Sequence, residues 1–131
     1  MDHPLVLVVD DDADIRLAVI EAIRMEEDLD AEGVGNGLAV LGVLARRCPD
    51  LVVLDIDMPQ MDGTELVEWL RHDPTTRGVP LIGMTGLPSR AGMRRDLTRA
   101  GCAVILDKPF DIDDLIATIR SSLPPVGTRS P

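Results

Sequence analysis

Runs of apolar residues that do not alternate with polar ones punctuate this chain: Leu5-Val-Leu-Val-Val9, Leu51-Val-Val-Leu54, Leu81-Ile-Gly-Met84 and Ala103 to Leu106. A strand with no alternation is buried on both faces, as strands of a parallel sheet are. Between the runs, apolar positions recur at helical spacing. Ile15, Val19, Ala22 and Ile23 predict a helix that Asp12 caps and that reaches about Met25. Leu38 to Arg47 predicts a short helix closed by Pro49, because proline restricts the residue before it and cannot continue the ladder. Thr64 to His72 follows, with Leu66, Val67 and Leu70 inward and Trp69 on the flank. Ser89 to Ala100 turns Met93, Leu97 and Ala100 inward, with Gly101 just past its end. Asp111 opens a last helix as N-cap, with Ile112, Leu115, Ile116 and Ile119 inward. A weaker strand, Leu29 to Val34, alternates Asp30 and Glu32 outward, and Gly33-Val-Gly-Asn-Gly37 reads as the turn after it. The succession of strand and helix implies an α/β fold, a doubly wound parallel sheet of five strands with five helices.

Each principal apolar run stops at polar residues. The first ends in Asp10, Asp11 and Asp12, the next in Asp55, the third in Thr85 and the last in Asp107 and Lys108. In open parallel sheets, ligands sit in the crevice beyond the carboxyl ends of the strands, so Asp55 is the candidate for the residue that carries the chemistry. Carboxylates gathered there repel one another by up to ~4 kcal/mol per pair at an effective dielectric of about 20, so they need a cation or must hold a proton. A hard divalent ion such as Mg²⁺ takes oxygen ligands and commonly bridges carboxylates to a phosphoryl group. Lys108 and the Thr85 hydroxyl would complete a site for phosphoryl oxygens. Taken singly these residues mean little: Asp12 and Asp14 read as helix-start residues, Asp50 and Asp62 as solvated loop residues, and a lone Thr or Lys is ordinarily surface. Their joint placement at successive strand ends is what points to function.

Composition narrows the partners. With 131 residues and a formal charge of −10, the chain is expected to be one domain and to bind neither nucleic acid nor an anionic membrane directly, since both reward a basic surface. No apolar run approaches the ~18 residues a membrane span needs, and a cytoplasmic location is expected. Cys48 and Cys102 lack metal-like spacing and are read as packing residues. The glycine cluster at 33 to 37 lacks the spacing that cradles a pyrophosphate, so no dinucleotide site is expected.

The segments Val-Val-Asp-Asp-Asp (8 to 12), Pro-Asp-Leu-Val-Val-Leu-Asp-Ile-Asp-Met-Pro-Gln-Met-Asp-Gly (49 to 63), Met-Thr-Gly (84 to 86) and Asp-Lys-Pro-Phe (107 to 110) together strongly resemble the receiver domain of two-component response regulators. The likeness covers residues 4 to 123. It implies a flavodoxin-like sheet of strand order 2-1-3-4-5, a receiver unit over 1–123, and a tail or linker start over 124–131. By this resemblance Asp55 is the phosphoacceptor. Asp10, Asp11 and Asp55, with the backbone carbonyl of Asp57, hold Mg²⁺, while Thr85 and Lys108 contact the phosphoryl group. A cis Lys108-Pro109 bond is also implied. The donor would be a histidine kinase or a histidine phosphotransfer protein, and the chain would be no enzyme beyond its own phosphorylation and dephosphorylation. The downstream protein target is not named by the sequence, and a homodimer is left open.

The chain departs from that family in particular places. Ile105 stands where the family usually has an aromatic that changes rotamer on activation. Asp57 and Leu87 flank the line along which water attacks phosphorylated Asp55; exclusion by Leu87 suggests slow self-dephosphorylation, and the charge of Asp57 suggests slow loading by small anionic donors. Leu38, Gly42 and Ala45 make the outer side of their helix a contact surface in competition with the arginines at 90, 94, 95 and 99. Two other readings compete. Asp55-Ile-Asp57 is similar to the nucleophile and general acid of haloacid-dehalogenase-like phosphohydrolases, although that motif normally opens its fold. The other is a receiver fold used only for contacts, which the intact constellation argues against.

Overall fold

The computed structural model describes residues 3–58, 63–86 and 91–124. Pro59, Asp62, Leu87, Ser89, Arg90 and the tail from Pro125, with the expectations attached to them, lie outside the described residues, as do the side chains of Met93 and Arg94. Strands β1 (Leu5–Val9), β2 (Asp30–Val34), β3 (Leu51–Asp55), β4 (Leu81–Thr85) and β5 (Val104–Asp107) alternate with helices α1 (Ala13–Arg24), α2 (Gly37–Leu44), α3 (Gly63–His72), α4 (Ala91–Ala100) and α5 (Ile112–Ser122). The strands form one parallel sheet in the order β2-β1-β3-β4-β5. This is the expected architecture and order.

Why the apolar runs lack alternation is visible in the packing. Successive side chains of a strand point to opposite faces. Leu7, Val9, Val52, Leu54 and Leu81 meet Val40 and Val43 of α2, Leu66, Val67 and Leu70 of α3, and Leu97 of α4. Val6, Val8, Leu51, Val53, Ile82 and Met84 meet Val19 and Ile23 of α1 and Leu115 and Ile119 of α5. With helices on both faces, every position of β1, β3 and β4 must be apolar until the strand ends, where Asp10, Asp55 and Thr85 remain buried. At ~25 cal/mol per Å² of apolar surface, each fully buried Leu or Val in these strands contributes about 1.5–3 kcal/mol.

Several sequence expectations need correction. β5 is half-buried, with Asp107 exposed, because it is an edge strand paired only with β4. Gly33 belongs to β2 and Gly37 to α2, so the glycine cluster is not one turn; Asn36 caps α2, its Oδ1 accepting from Ala39 N at 2.9 Å. Gly33 lies close under α1, where a Cβ would meet the tip of the Ile20 side chain and press on Arg16, so those side chains would have to shift. α2 ends at Leu44 rather than Arg47: the chain tightens through Arg46 N to Val43 O (2.9 Å), and the Arg47 guanidinium is drawn away to the His3 carbonyl (2.6 Å). Ile112 is exposed rather than inward, since the first turn of α5 sits at the carboxyl edge of the sheet, where the buried stripe of Leu115 and Ile119 runs out. Cys48 is exposed, directing its Sγ at Thr75 O (3.3 Å), whereas Cys102 is buried as expected. Asp50 is no solvated loop residue: its Oδ2 accepts from Leu5 N at 2.8 Å and fastens the start of β3 to the start of β1.

Other expectations hold. Asp12 caps α1, accepting from Asp14 N and Ile15 N, and Asp111 caps α5. Gly101 ends α4 at φ +120°, a conformation that favours glycine. Leu38 and Leu41 of α2 are 78% and 48% exposed, leaving that helix apolar on its outer side.

Candidate functional site at the carboxyl edge of the sheet

β1 has β2 on one side and β3 on the other, so connections leave it in opposite directions and a crevice opens beyond its carboxyl end. Asp10 follows β1 directly and Asp55 is the last residue of β3. Both are buried. Asp10 Oδ1 accepts from Asp12 N at 2.9 Å, while its backbone carbonyl accepts from Arg16 Nη1 at 2.7 Å. Arg16 thus reaches back from α1 to hold the loop that carries the acids. Asp55 Oδ1 accepts from Asp57 N at 2.9 Å.

The remaining strand ends close the site. Lys108 follows β5, with a cis bond to Pro109, and its N–H donates to Thr85 O at 2.6 Å. Its Nζ lies 3.5 Å from Asp10 Oδ2 and 3.4 Å from Asp55 Oδ2. Asp10, Asp11 and Asp55 each offer a carboxylate oxygen, all within 4.8 Å of one another, with Asp11 exposed at the mouth. One ammonium among three carboxylates leaves the cluster short of positive charge. A donor set made only of carboxylate oxygen suits a hard divalent cation such as magnesium.

Thr85 is brought to the same edge, but its hydroxyl is turned to Asp57. Thr85 Oγ1 donates to Asp57 Oδ2 at 2.9 Å, with Oδ1 at 3.2 Å, and Gly86 N donates to the same Oδ2 at 2.8 Å. The structure therefore gathers Asp10, Asp11, Asp55, Asp57, Thr85 and Lys108 as the sequence reading grouped them. It adds two features that reading missed. The Arg16 contact leaves only a faint signal, a basic residue one turn beyond the Asp12 cap. The grip of the Asp57 side chain on Thr85 has no local signal at all, since the partners are 28 residues apart.

The electrostatics of Asp10 carry a consequence. Burial, reinforced by the neighbouring Asp55, raises its carboxyl above the usual range, outweighing the Asp12 N–H and the Lys108 ammonium that favour its ionised form. A carboxyl raised on folding adds stability below its unfolded pKa and withdraws it as the pH climbs through the folded value, so at neutral pH ionised Asp10 is a cost. Asp10→Asn keeps an acceptor for Asp12 N and removes the charge. In chelator it should unfold at a higher temperature than wild type, being more stable by about 1–2 kcal/mol, and added Mg²⁺ is expected to stabilise it less than wild type. A lower melting temperature in chelator would contradict this account.

Comparison with known proteins agrees with this architecture. The family description "response regulator receiver domain" matches residues 6–120. Response regulator PleD of Caulobacter vibrioides is 38% identical over 117 residues, covering 88% of this chain. Polar-differentiation response regulator DivK of Brucella anthropi is 33% identical over 88 residues, covering 67% of this chain and 71% of DivK. The chain spans only 25% of PleD. Among solved structures, chemotaxis response regulator CheY4 of Vibrio cholerae superposes with a TM-score of 0.82 at 24% identity, covering 93% of this chain and all of CheY4, a likeness of fold.

Proposed function

The chain belongs to the response regulator receiver family of two-component signalling, and we propose that it takes a phosphoryl group onto Asp55 from the phosphohistidine of a histidine kinase or histidine phosphotransfer protein. The observation that carries this reading is the Lys108 ammonium lying between the buried carboxylates of Asp10 and Asp55, with Asp11 alongside. An Asp55 carboxylate oxygen attacks phosphorus in line as the phosphorus–nitrogen bond to histidine breaks, and the electron pair leaves with the imidazole. Little covalent machinery is needed, so positioned charge does most of the work. Lys108 faces the phosphoryl oxygens, and Thr85 supplies a hydroxyl once that hydroxyl is turned toward them. Asp10, Asp11 and Asp55, with the carbonyl of Asp57, are the residues that would hold Mg²⁺, which when bound neutralises charge on the phosphoryl oxygens.

Residues 1–123 form the receiver unit in this reading and 124–131 its tail or linker start. The output is a shift between two packings of the surface around β4, α4, β5 and α5, read by a protein target. Ile105 is half-buried on β5, so the shift proceeds with an aliphatic side chain where relatives usually carry an aromatic.

Incubation with acetyl phosphate and Mg²⁺ tests the reading. One phosphoryl group per chain should be incorporated, labile in alkali, and chelator should suppress it. Steady turnover of p-nitrophenyl phosphate would favour the phosphohydrolase instead. Failure to react with acetyl phosphate and to bind beryllofluoride in Mg²⁺ would leave a contact module.

A further inference from the structure

Two hydrogen-bond donors at the carboxyl end of β4 are both engaged by one side chain. The Thr85 hydroxyl and the Gly86 N–H meet Asp57 Oδ2 at 2.9 and 2.8 Å. A carboxylate only accepts, so the Thr85 proton lies in that bond, and a hydroxyl has only one to give. Thr85 is buried and Asp57 half-buried, so their bond is partly sheltered from water, while the Gly86 bond beside it is exposed. Asp57 is itself fixed from behind, because its backbone N–H donates to Asp55 Oδ1 at 2.9 Å. The carboxylate thus bridges the end of β3 to the end of β4, beside the residue proposed to receive phosphate.

We propose that the Asp57 carboxylate is an internal competitor of the phosphoryl group, holding Thr85 and Gly86 in the unphosphorylated arrangement until an anion on Asp55 takes their donors from it. This rests on the receiver reading and assigns Asp57 a positioning role through its side chain, separate from the ligand role proposed for its backbone carbonyl. An anion and a carboxylate ask for the same donors, so the stronger the grip of Asp57, the more of the binding free energy of the phosphoryl group is spent on releasing it. The grip raises the concentration of donor needed for loading and keeps the unloaded protein in its resting arrangement.

The experiment compares wild type, Asp57→Ala and Asp57→Asn, each alone and with Thr85→Ala, by titrating beryllofluoride in saturating Mg²⁺. Asp57→Ala removes both charge and acceptor, whereas Asp57→Asn removes the charge and keeps one acceptor oxygen. The half-saturating beryllofluoride concentration should fall about tenfold in Asp57→Ala and about threefold in Asp57→Asn, the sizes expected for losing and weakening charge-assisted hydrogen bonds. In the Thr85→Ala background the gain from Asp57→Ala should shrink to about threefold or less, because that background has already removed one of the two donors in contention. In metal-free protein the Gly86 amide proton resonance should also move upfield in Asp57→Ala, which reads the hydrogen bond without any phosphoryl mimic. Equal gains in Ala and Asn variants, or a gain undiminished by Thr85→Ala, would mean charge repulsion alone and overturn the proposal. An unmoved Gly86 resonance would overturn it too. Wild type that binds beryllofluoride without any dependence on Asp57 sinks only this inference, whereas absence of binding in every variant sinks the receiver reading with it.

Discussion

An Asp55→Asn protein should take up no phosphoryl group from a phosphorylated histidine kinase or from acetyl phosphate, a loss of at least about a thousandfold in rate. The amide has no anionic oxygen to attack phosphorus, and it removes one of the three carboxylates whose oxygens lie within 4.8 Å of one another at the crevice. The loss should not come from unfolding. Asparagine has nearly the shape of aspartate and retains an oxygen for the Asp57 N–H that meets Asp55 Oδ1 at 2.9 Å. Lys108 keeps a partner, since Asp10 Oδ2 lies 3.5 Å from its Nζ. Asp55 is also one of the causes that raise Asp10, so neutralising it relieves a buried repulsion. Urea unfolding in chelator should show the variant at least as stable as wild type. Full labelling of Asp55→Asn would assign the chemistry to another residue, and Asp10 and Asp11 would be the next to test.

How much of this was legible depends on which forces left a local trace. β1, β3 and β4 could be read because helices cover both their faces, which forces apolar residues at every position until the carboxyl end. The gathering of the candidate residues could be read for the complementary reason: Asp10, Asp55 and Thr85 are polar residues at the carboxyl edge, where such a sheet leaves its buried strands open. β5 was harder, because an edge strand is buried by one neighbour and part of a helix layer, and its sequence resembles that of an inner strand. Ile112 escapes its periodicity, which gives direction around a helix but not where the sheet beneath it ends. What remained hidden was set by the fold itself. Asp50 meets Leu5 from 45 residues away, and Asp57 meets Thr85 from 28 away, so neither partnership appears in any window of sequence. The charge of Asp57 beside Asp55 is plain in the sequence, yet charge alone does not disclose that its carboxylate faces Thr85 and Gly86.

The largest effect on stability is expected at the opposite edge of the sheet, from Arg71→Met. Arg71 lies in the last turn of α3, where a cation also favours the helix dipole. Its Nη1 donates to Val79 O at 2.7 Å and Arg77 O at 3.0 Å, with Thr76 O at 3.4 Å, and its Nη2 donates to Gly101 O at 2.8 Å. One guanidinium therefore ties the connection before β4 to the turn between α4 and β5. Burial pushes its pKa down, the sign of a cation partly removed from water. The side chain passes so close to Gly101 that a Cβ there would collide with it, at a residue whose φ of +120° already favours glycine. Methionine fills much the same volume but donates nothing, leaving several carbonyls to find new partners. At about 1–3 kcal/mol for each sheltered polar group left unsatisfied, offset where water can enter, a net loss of about 3 kcal/mol is expected. Lysine keeps the charge but cannot span both segments with a fork of donors, so Arg71→Lys should lose about 2 kcal/mol. Both values are read from urea unfolding, and a loss below about 1 kcal/mol in Arg71→Met would show that the clamp is replaced by water. Because Val79 precedes β4 whereas Thr85 ends it, the clamp and the acidic crevice sit at opposite ends of the same strand. At a temperature where Arg71→Met remains folded, its labelling at Asp55 should therefore equal that of wild type, and a parallel loss of labelling would show that the two edges of the sheet are coupled.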